Sequence, residues 1–498
     1  MKVAIFVYNN FTSDARVAKQ AASLTAAGFD VTVYAVKDNK TVEREIRGGY
    51  RIVRIWRDPI HYRLFRGGRQ LRRTARLTLR RAWRMRRIAR RVVRRLILRP
   101  LVRLARLAGV RRPALMVPTA APTPQLARRL PRWLKGVLAP IALVWAGVSR
   151  AAPVIRRAPK QGLLFFHKPL MFVNWYRQAH ELASASAPQA CHANDLITLP
   201  VGAWLARSAG VPLVYDAHEL YPEVSTLSRR ERRAWSAVER VLIGRASRVV
   251  TVCESIADEL VRRYGVAKPL VVLNCPERAN AIASNGGARG LLRESALVDP
   301  SQPVILYQGG FTPSRGLAPL VRAMKHVERG TLVMMGWGRL EAELRELVIE
   351  HDLADRVRFV PPVPRDQLAG FTADADVGVI PYEAHGLNNY YSTPNKLFEY
   401  MAAGIPIACS RFPELVRFVE GLEIGATFEA IEPQAIAAVL NKLLADPVGL
   451  EAMSKRALAA SRELVWENEA AKLLAAYREL VPGSGPAQRT ARVSGATR

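Results

Sequence analysis

Short apolar runs alternate with helical segments in two separate series, and this alternation constrains the fold more than any other feature of the sequence. The first series occupies residues 1–57 and resumes near residue 190 with VPLVYDAHE and SRVVTVC. The second begins at PVILYQGG and continues through TLVMMGWG, ADVGVIPY and IPIACS. Strands that are apolar throughout and alternate with helices are typical of parallel sheets covered on both faces. The sequence therefore predicts an α/β protein with two Rossmann-like domains that face a cleft.

The length and the breaks in the pattern give the domain boundaries. A chain of 498 residues is longer than one hydrophobic core usually supports. We predict an N-terminal domain over residues 1–280 with an insertion at 58–160, and a C-terminal domain over 281–465. A crossover helix over 466–481 and a disordered tail over 482–498, rich in Gly, Ser, Thr and Arg, complete the chain.

The cysteines and the N-terminus indicate the compartment. The four cysteines contain no CxxC pair, which argues against a disulfide framework or a zinc site and fits a reducing compartment. The opening MKVAIFVYNN reads as a first strand and not as a signal peptide. No run reaches the ~20 apolar residues that a membrane-spanning helix needs.

Nearly all of the excess positive charge lies in one segment. Residues 61–160 contain 28 Lys and Arg and no Asp or Glu, whereas the other 398 residues have a net charge of only +5. Apolar residues recur there at spacings of three and four from Leu71 to Leu96, which predicts an amphipathic helix ending near Pro100. Arginines occupy its opposite face: Arg73, Arg76, Arg80, Arg84, Arg87, Arg91 and Arg94.

Three interpretations of this basic helix are open. Binding to an anionic membrane surface is favoured, because arginine on one face and Leu, Met and Val on the other are typical of an interfacial helix. A solvated helix packed on the domain is weaker, since like charges one turn apart repel. Nucleic-acid binding is weakest, because neither a zinc motif nor an RNP-like motif accompanies the arginines.

The segment STPNKLFEYMAAGIP at 392–406 predicts a short helix with an anion site at its start. Thr393 suits the N-cap and Pro394 the first helical position. Free amides at such an end favour a phosphate, with Asn395 nearby and Lys396 adding charge. Glu399, one turn further on, suits the vicinal hydroxyls of a ribose. An ordinary capped helix with a solvated Lys–Glu pair explains the spacing equally well.

Two strand ends in the second series carry glycines. LYQGGFTPSRGL has Gly309 and Gly310 before Arg315, whose guanidinium could hold a diphosphate bidentately. MMGWGRLE repeats the design with Gly336 and Gly338. Because ligands of parallel sheets bind at the carboxyl edge of the strands, both turns are predicted to line a binding site.

In the first series, Asp216, His218 and Glu219 are expected at the end of the strand of VYDAHELYPE, facing the cleft. We predict that Asp216 and His218 position donor and acceptor there. Asp374 and Asp376 match a metal motif in letters only, and a structural role in a helix-to-strand turn is favoured. HExxH, GxSxG, P-loop and complete GxGxxG motifs are all absent from the sequence.

In this order, the opening DARVAKQAASLTAAGFDVTVYAV, YDAHELYPE, VTVCESIADEL, LYQGGFTPSRGL, GWG, ADVGVIPY and PNKLFEYMAAGIP resemble the GT-B glycosyltransferases of family 4. The late WENEAAKLLAAYREL resembles that family's crossover helix. The resemblance implies retaining transfer of a sugar from a nucleotide-sugar, with no cofactor and no required metal. It also implies that Glu399 binds the ribose, that Arg315 binds the diphosphate and that His218 lies near the donor sugar.

The sequence departs from the family pattern at two positions. Tyr391 stands eight residues before Glu399, where the family usually has a second glutamate, and Gly310 occupies a turn that usually holds an arginine. The first change affects recognition of the donor sugar, and the second removes a charge that Lys396 could replace. A variant subfamily is favoured over a scaffold without activity.

We therefore expect a cytoplasmic glycosyltransferase, peripheral on the inner face of the cell membrane, whose N-terminal domain takes the acceptor. Its partners would be a nucleotide-sugar donor, an envelope glycan or lipid-linked acceptor, and an anionic membrane bound through residues 61–160. Together with that segment, an aromatic run would dock near the lipid-linked or envelope-glycan acceptor; its residues are Phe165, Phe166, Phe172, Trp175 and Tyr176. A nucleotide-sugar epimerase of similar fold and an inactive GT-B scaffold are the alternatives. Nucleic acid is a disfavoured partner.

Overall fold

The computed structural model describes residues 1–57, 170–278, 290–364, 366–429 and 431–480. Met1–Trp56 and the described residues from Tyr176 to Leu480 form one compact unit. The predicted insertion 58–160 with its seven arginines and the predicted tail 482–498 lie outside the described residues. No described helix is both long and apolar enough to cross a bilayer.

The first sheet has eight strands in the order β3-β4-β2-β1-β5-β6-β7-β8. Its strands are β1 (Lys2–Phe6), β2 (Asp30–Lys37), β3 (Arg44–Arg47), β4 (Tyr50–Trp56), β5 (Ala190–Asn194), β6 (Leu213–Ala217), β7 (Arg248–Thr251) and β8 (Leu270–Val271). Neighbours run parallel except for β3 and β4, which pair antiparallel. Helices follow most of these strands: α1 (Ala15–Ala26), α2 (170–185), α3 (Asp195–Ala209), α4 (Arg229–Leu242) and α5 (Glu254–Tyr264).

The second sheet has six strands, all parallel, in the order β11-β10-β9-β12-β13-β14. Its strands are β9 (Val304–Gly310), β10 (Thr331–Trp337), β11 (Val357–Val360), β12 (Val377–Ile380), β13 (Ile407–Ser410) and β14 (Gly425–Phe428). The helices are α6 (Leu291–Ala296), α7 (Leu317–Ala323), α8 (Glu341–Glu350), α9 (Leu368–Ala373), α10 (Leu387–Tyr390), α11 (Asn395–Ala403), α12 (Pro413–Val419), α13 (Pro433–Leu444), α14 (Pro447–Glu463) and α15 (Trp466–Leu480).

Both faces of the second sheet are buried, as the uniformly apolar strands predicted. Along β9, Ile305 and Tyr307 belong to one hydrophobic cluster and Leu306 to a cluster on the other face. The side-chain period of two sends successive residues to opposite faces, so an apolar strand needs helices on both. The predicted pair of Rossmann-like sheets is thereby confirmed.

Several local expectations need correction. Residues 44–56 form an antiparallel hairpin that was not predicted, and the run PLVVLNCPE contributes only the two residues of β8. Helix α11 begins at Asn395, so its N-cap is Pro394 and not Thr393. Pro394 precedes the helix in an extended conformation, with φ −71° and ψ 145°, and its ring fixes φ near this value.

The last helix returns to the first sheet. Trp466, Leu473 and Tyr477 of α15 are buried in the same hydrophobic cluster as β1, β2 and α1. The Trp466 indole nitrogen donates to Ser23 Oγ at 2.9 Å, and the Tyr477 hydroxyl lies 2.8 Å from His192 Nδ1. Although α15 follows the second sheet in sequence, it therefore completes the core of the first.

A buried ion pair joins α1 to β6. Arg16, 4% exposed, makes two 3.0 Å hydrogen bonds to the carboxylate of Asp216, which is fully buried. Arg16 also donates to the Val272 carbonyl at 2.7 Å. Burial by itself would raise the pKa of Asp216, but the Arg16 guanidinium holds it well below its usual value. The pair keeps a charge stable in a dry interior.

We predict that Arg16→Met lowers the free energy of unfolding by about 3–5 kcal/mol, because Asp216 is left as an uncompensated buried charge. Urea denaturation followed by tryptophan fluorescence measures the loss. Arg51→Met is the matched control: Arg51 pairs with Asp30 on the surface at 2.5 Å, with both side chains about half exposed, and its loss removes at most about 1 kcal/mol. Equal destabilisation by both variants would show that Arg16 does not compensate a buried charge on Asp216.

Candidate active site

A cavity of about 720 Å³ lies between the two sheets. The carboxyl ends of β9 and β10 and the residues just after β12 form one side, and the segments after β6 and β7 form the other. These are the strand ends at which ligands bind in parallel α/β sheets. The predicted residues that line the cavity are His218, Gly309, Gly310, Arg315, Gly336, Thr393, Asn395, Lys396 and Glu399. Asp216 and Gly338 do not line it.

Bare backbone forms the floor of the cavity at β9 and β10. Gly309 has φ +128°, and a Cβ there would lie 3.3 Å from Lys396 Nζ. A Cβ on Gly336 would lie only 2.0 Å from the Gly309 carbonyl oxygen. Only glycine fits such a conformation and such a close approach. At Gly338 the obstacle is the backbone of Phe311, at 2.3 Å, so Gly338 permits loop packing instead of facing a ligand.

Two cations lie side by side above this floor. Lys396 Nζ is 3.7 Å from the centre of the Tyr307 ring, and the Arg315 guanidinium is 4.1 Å from the centre of the Tyr382 ring. Within the described residues, neither forms a salt bridge with a carboxylate. Burial and the Arg315 charge hold the pKa of Lys396 well below its ordinary value. An anion between the two cations would relieve their repulsion, which suits a diphosphate.

Glu399 is oriented by a chain of buried polar groups. Gln308 Nε2 donates to Glu399 Oε2 at 2.6 Å, and the Thr372 hydroxyl donates to Gln308 Oε1 at 2.8 Å. Gln308 is 3% exposed and Thr372 is fully buried. The chain fixes one Glu399 oxygen and thereby aims the carboxylate into the cavity. Neither Gln308 nor Thr372 was predicted, although a glutamine inside the apolar strand VILYQGG is a recognisable clue.

His218 projects into the cavity between two carboxylates. Its Nδ1 is 3.4 Å from Asp195 Oδ2, and its Nε2 is 3.4 Å from Asp216 Oδ2 and 3.1 Å from Asn194 Oδ1. Burial opposes the charged ring, but the Asp195 and Asp216 carboxylates outweigh it and raise the pKa of His218 to about 10. His218 is therefore an imidazolium at neutral pH, suited to hold an anionic or hydroxyl group and not to accept a proton.

Asp216 differs from its predicted role at the substrate. It lies fully buried behind His218, bonded to Arg16 and Gln20. A side chain enclosed in this way cannot touch a ligand, so it acts through His218. Asp195, not predicted, is the other carboxylate at this ring. Its φ of +62° is unusual for a non-glycine residue, and such strain concentrates at functional sites.

The structure also describes the surroundings of Asp374, Asp376 and Tyr176. Asp374 accepts from the backbone amides of Gly290 and Arg293, and Asp376 accepts from the amide of Val304, which confirms their structural role. Tyr176, expected to dock near the acceptor, donates its hydroxyl to the Ile197 carbonyl at 2.5 Å. That hydroxyl is therefore engaged inside the fold, and docking of the aromatic run near an acceptor stays a prediction.

We predict that His218 stays protonated up to pH 9 and that Asp195→Asn lowers its pKa, since one of its two anionic neighbours is lost. Selective ¹³C labelling of the histidines and NMR titration measure the midpoint, and the His218→Gln spectrum assigns the resonance. A raised folded pKa means that this charge stabilises the fold fully below pH 6.5 and loses its effect as pH rises through about 10. A neutral ring at pH 8 would refute the assignment.

Comparison with known proteins agrees with this geometry. The family model described as glycosyl transferases group 1 matches residues 302–446, and the model for a glycosyl transferase 4-like domain matches residues 138–276. The D-inositol 3-phosphate glycosyltransferase 1 of Catenulispora acidiphila is 27% identical over 316 residues, covering 59% of this chain and 72% of that protein. The D-inositol 3-phosphate glycosyltransferase of Xylanimonas cellulosilytica is 29% identical over 309 residues, covering 55% and 70%.

Solved structures share the fold at low sequence identity. Sucrose-phosphate synthase from Thermosynechococcus elongatus superposes with a TM-score of 0.63 at 18% identity, covering 96% of this chain and 99% of that one. Anabaena Alr3699/HepE in complex with UDP-glucose superposes with a TM-score of 0.57 at 14% identity, covering 96% and 100%. From the two family matches and the two facing parallel sheets, the chain belongs to the group 1 glycosyltransferases, enzymes of the GT-B fold.

Proposed function

We propose that the protein transfers a sugar from a nucleoside diphosphate sugar, with retention of anomeric configuration, to a glycan or lipid-linked acceptor at the cytoplasmic face of the membrane. The observation that carries the donor assignment is the arrangement of Arg315, Lys396 and Glu399 around one cavity. Two cations that form no salt bridge with a carboxylate among the described residues suit a diphosphate, and an oriented carboxylate suits a ribose. Anabaena HepE, which shares this fold, has been solved in complex with UDP and with UDP-glucose, and this supports the same class of donor.

The two cations would also promote departure of the nucleoside diphosphate. As the glycosidic bond breaks, negative charge develops on the leaving oxygen, and fixed positive groups stabilise it most in a site without water. Arg315, Lys396 and the first amides of α11 lie where this charge would form. Because the protein supplies the positive charge itself, we propose that the reaction needs no metal ion.

Retention fits an attack from the side that the diphosphate leaves. In such a reaction the acceptor hydroxyl approaches the same face of the sugar, and its proton passes to the departing phosphate oxygen. The imidazolium of His218 is suited to this arrangement because it donates hydrogen bonds and accepts none. Its part would be to hold the sugar or the acceptor and not to remove a proton.

A second, smaller cavity supports a separate acceptor site. It has a volume of about 300 Å³ and shares His218, Thr393 and Asn395 with the donor cavity. Its other wall is the start of α1, from Ser13 to Arg16. An acceptor placed there would reach the donor sugar past His218, from the side of the first domain.

Membrane attachment is the part of the proposal that rests on sequence alone. The block of 28 basic and no acidic residues at 61–160 interrupts the domain that would bind the acceptor. Each basic residue near an anionic surface contributes about 1 kcal/mol, so the block would hold the enzyme where a lipid-linked acceptor lies.

For the donor site we predict that Glu399→Ala removes the preference for a ribose over a deoxyribose. Calorimetric titration compares the dissociation constants of UDP and 2′-deoxy-UDP. The same comparison is made for GDP and ADP with their 2′-deoxy forms. A hydrogen bond to a charged group contributes about 1.5–3 kcal/mol, so the wild type should prefer the ribonucleotide about tenfold or more.

Glu463→Ala is the matched control, since Glu463 is exposed at the end of α14 and should leave both affinities unchanged. The nucleoside diphosphate that binds should also stabilise the protein thermally, by about 2.7 kcal/mol at 100 times its dissociation constant. Undiminished ribose preference in Glu399→Ala would remove the site assignment, and an absence of nucleotide binding to the wild type would remove the proposed function.

For the membrane we predict that the full chain sediments with vesicles of phosphatidylglycerol and phosphatidylcholine but not with phosphatidylcholine alone. A variant in which Arg73, Arg76, Arg80, Arg84, Arg87, Arg91 and Arg94 are all replaced by glutamine should stay in the supernatant. Continued sedimentation of a variant that lacks residues 61–160 would contradict this role, and steep salt-dependent retention on duplex DNA without vesicle binding would assign the block to nucleic acid.

A further inference from the structure

The element that should carry a second carboxylate does not deliver one to the cavity. The family pattern places a glutamate eight residues before Glu399, and this chain has Tyr391 there. The Tyr391 side chain is absent from the cavity wall, although Asn388, Asn389, Ser392 and Thr393 line it. The Tyr391 backbone carbonyl accepts from Cys253 Sγ at 3.1 Å. Position 391 thus serves the contact between the domains.

A carboxylate reaches the same cavity from the opposite sheet. Glu219 follows His218 after β6 and lines the cavity. Asn388 Nδ2 donates to Glu219 Oε2 at 3.0 Å, while Asn388 Oδ1 accepts from the Leu220 amide at 3.1 Å. Asn388 lies on α10, three residues before Tyr391. The segment with tyrosine at position 391 therefore holds the glutamate of the other domain.

A nucleotide-sugar has hydroxyl groups on its ribose and on its sugar, and two carboxylates of the cavity wall could bind them. Of the described residues that line it, Glu219 and Glu399 alone are acidic. Glu399 is fixed by Gln308 and lies on the same side of the cavity as Arg315 and Lys396, the two cations proposed to bind the diphosphate. Glu219 has one oxygen bonded to Asn388, while its Oε1 has no hydrogen-bond partner among the described residues. A carboxylate oxygen in this state is a strong acceptor for a hydroxyl group.

We propose that Glu219 binds hydroxyl groups of the sugar carried by the donor and thereby selects the sugar, in place of the carboxylate missing at Tyr391. Asn388 is its positioning residue. The inference deepens the proposed function and depends on it. A site built to hydrogen-bond a substrate hydroxyl discriminates strongly against an analogue that lacks it, because the buried acceptor is then left unpaired. Burial also raises the pKa of Glu219, consistent with an acceptor held away from water.

The test separates the sugar from the nucleotide. The Kd of UDP, and the kcat/KM for hydrolysis of UDP-glucose without acceptor, are measured for wild type and Glu219→Gln, with GDP and GDP-mannose as the second pair of probes. Glu219→Gln keeps the size of the side chain and can still accept from Asn388, so the fold should be retained, which thermal melting checks. We expect an unchanged Kd for the nucleoside diphosphate and a kcat/KM lowered about tenfold or more.

Deoxy donors identify the contact itself. The 2-, 3-, 4- and 6-deoxy forms of the sugar are compared with the parent donor in both proteins. In wild type, loss of the contacted hydroxyl should lower kcat/KM strongly, and in Glu219→Gln the same loss should have little further effect. Asn388→Ala should reduce this discrimination in part, since Glu219 remains but is no longer held.

Glu223→Gln is the matched control, because Glu223 lies four residues further along, pairs with Arg232 and Arg263 and does not line the cavity. Its kcat/KM and its deoxy profile should match wild type. Equal deoxy profiles in wild type and Glu219→Gln, with nucleotide binding intact, would overturn the role of Glu219 and leave the proposed function standing. Failure of every nucleoside diphosphate to bind wild type would instead end the proposed function.

Discussion

The buried carboxylate of Asp216 is the interaction on which the first domain depends. A charge without water must be compensated by nearby groups, and here the compensation comes from Arg16 and Gln20 of α1 and from His218 after β6. His192 of β5, 3.9 Å away, links the same centre to Tyr477 of α15. Burial lowers the pKa of His192 to about 4, so His192 adds no charge. One ionic centre thus fixes the helix that begins the fold, the helix that ends it, and the imidazolium that faces the cavity.

The second domain holds its basic cavity residues in a different way. Arg315 and Lys396 lie over tyrosine rings and have no salt-bridge partner among the described residues. Cation–π contacts contribute about 0.5–2 kcal/mol, and burial together with the Arg315 charge holds the pKa of Lys396 well below its ordinary value. An anion bound beside the two side chains would favour the charged form of Lys396.

The sequence could reveal the parts of this design that are local. The apolar strands, the glycine turns at Gly309 and Gly336 and the helix start before Lys396 all follow from periodicity and from the steric demands of single residues. It could not reveal contacts between residues far apart in the chain. Gln308 with Thr372, and Glu219 with Asn388, are separated by 64 and 169 residues, and no short pattern encodes such pairs. The sequence did not predict the hairpin of β3 and β4 for another reason. Strand β3 is half exposed, with Ile46 76% exposed, and it lacks the apolar run of a central strand.

Polar contacts among the described residues cross the cleft. Glu414 accepts from the Ser255 amide at the start of α5 at 2.7 Å, Asn274 donates to Asn395 at 3.0 Å, and Asn388 bridges to Glu219 and Leu220. Contacts of this kind form and break with small changes in free energy, since water replaces each partner. A carboxylate on the same strand-helix unit as the diphosphate cations would meet the donor whether or not the domains had closed. Glu219, which Asn388 holds from across the cleft, would meet the donor only with the two domains together, and recognition of the sugar would then coincide with exclusion of water. Selection would then act at the step that also protects the donor from hydrolysis.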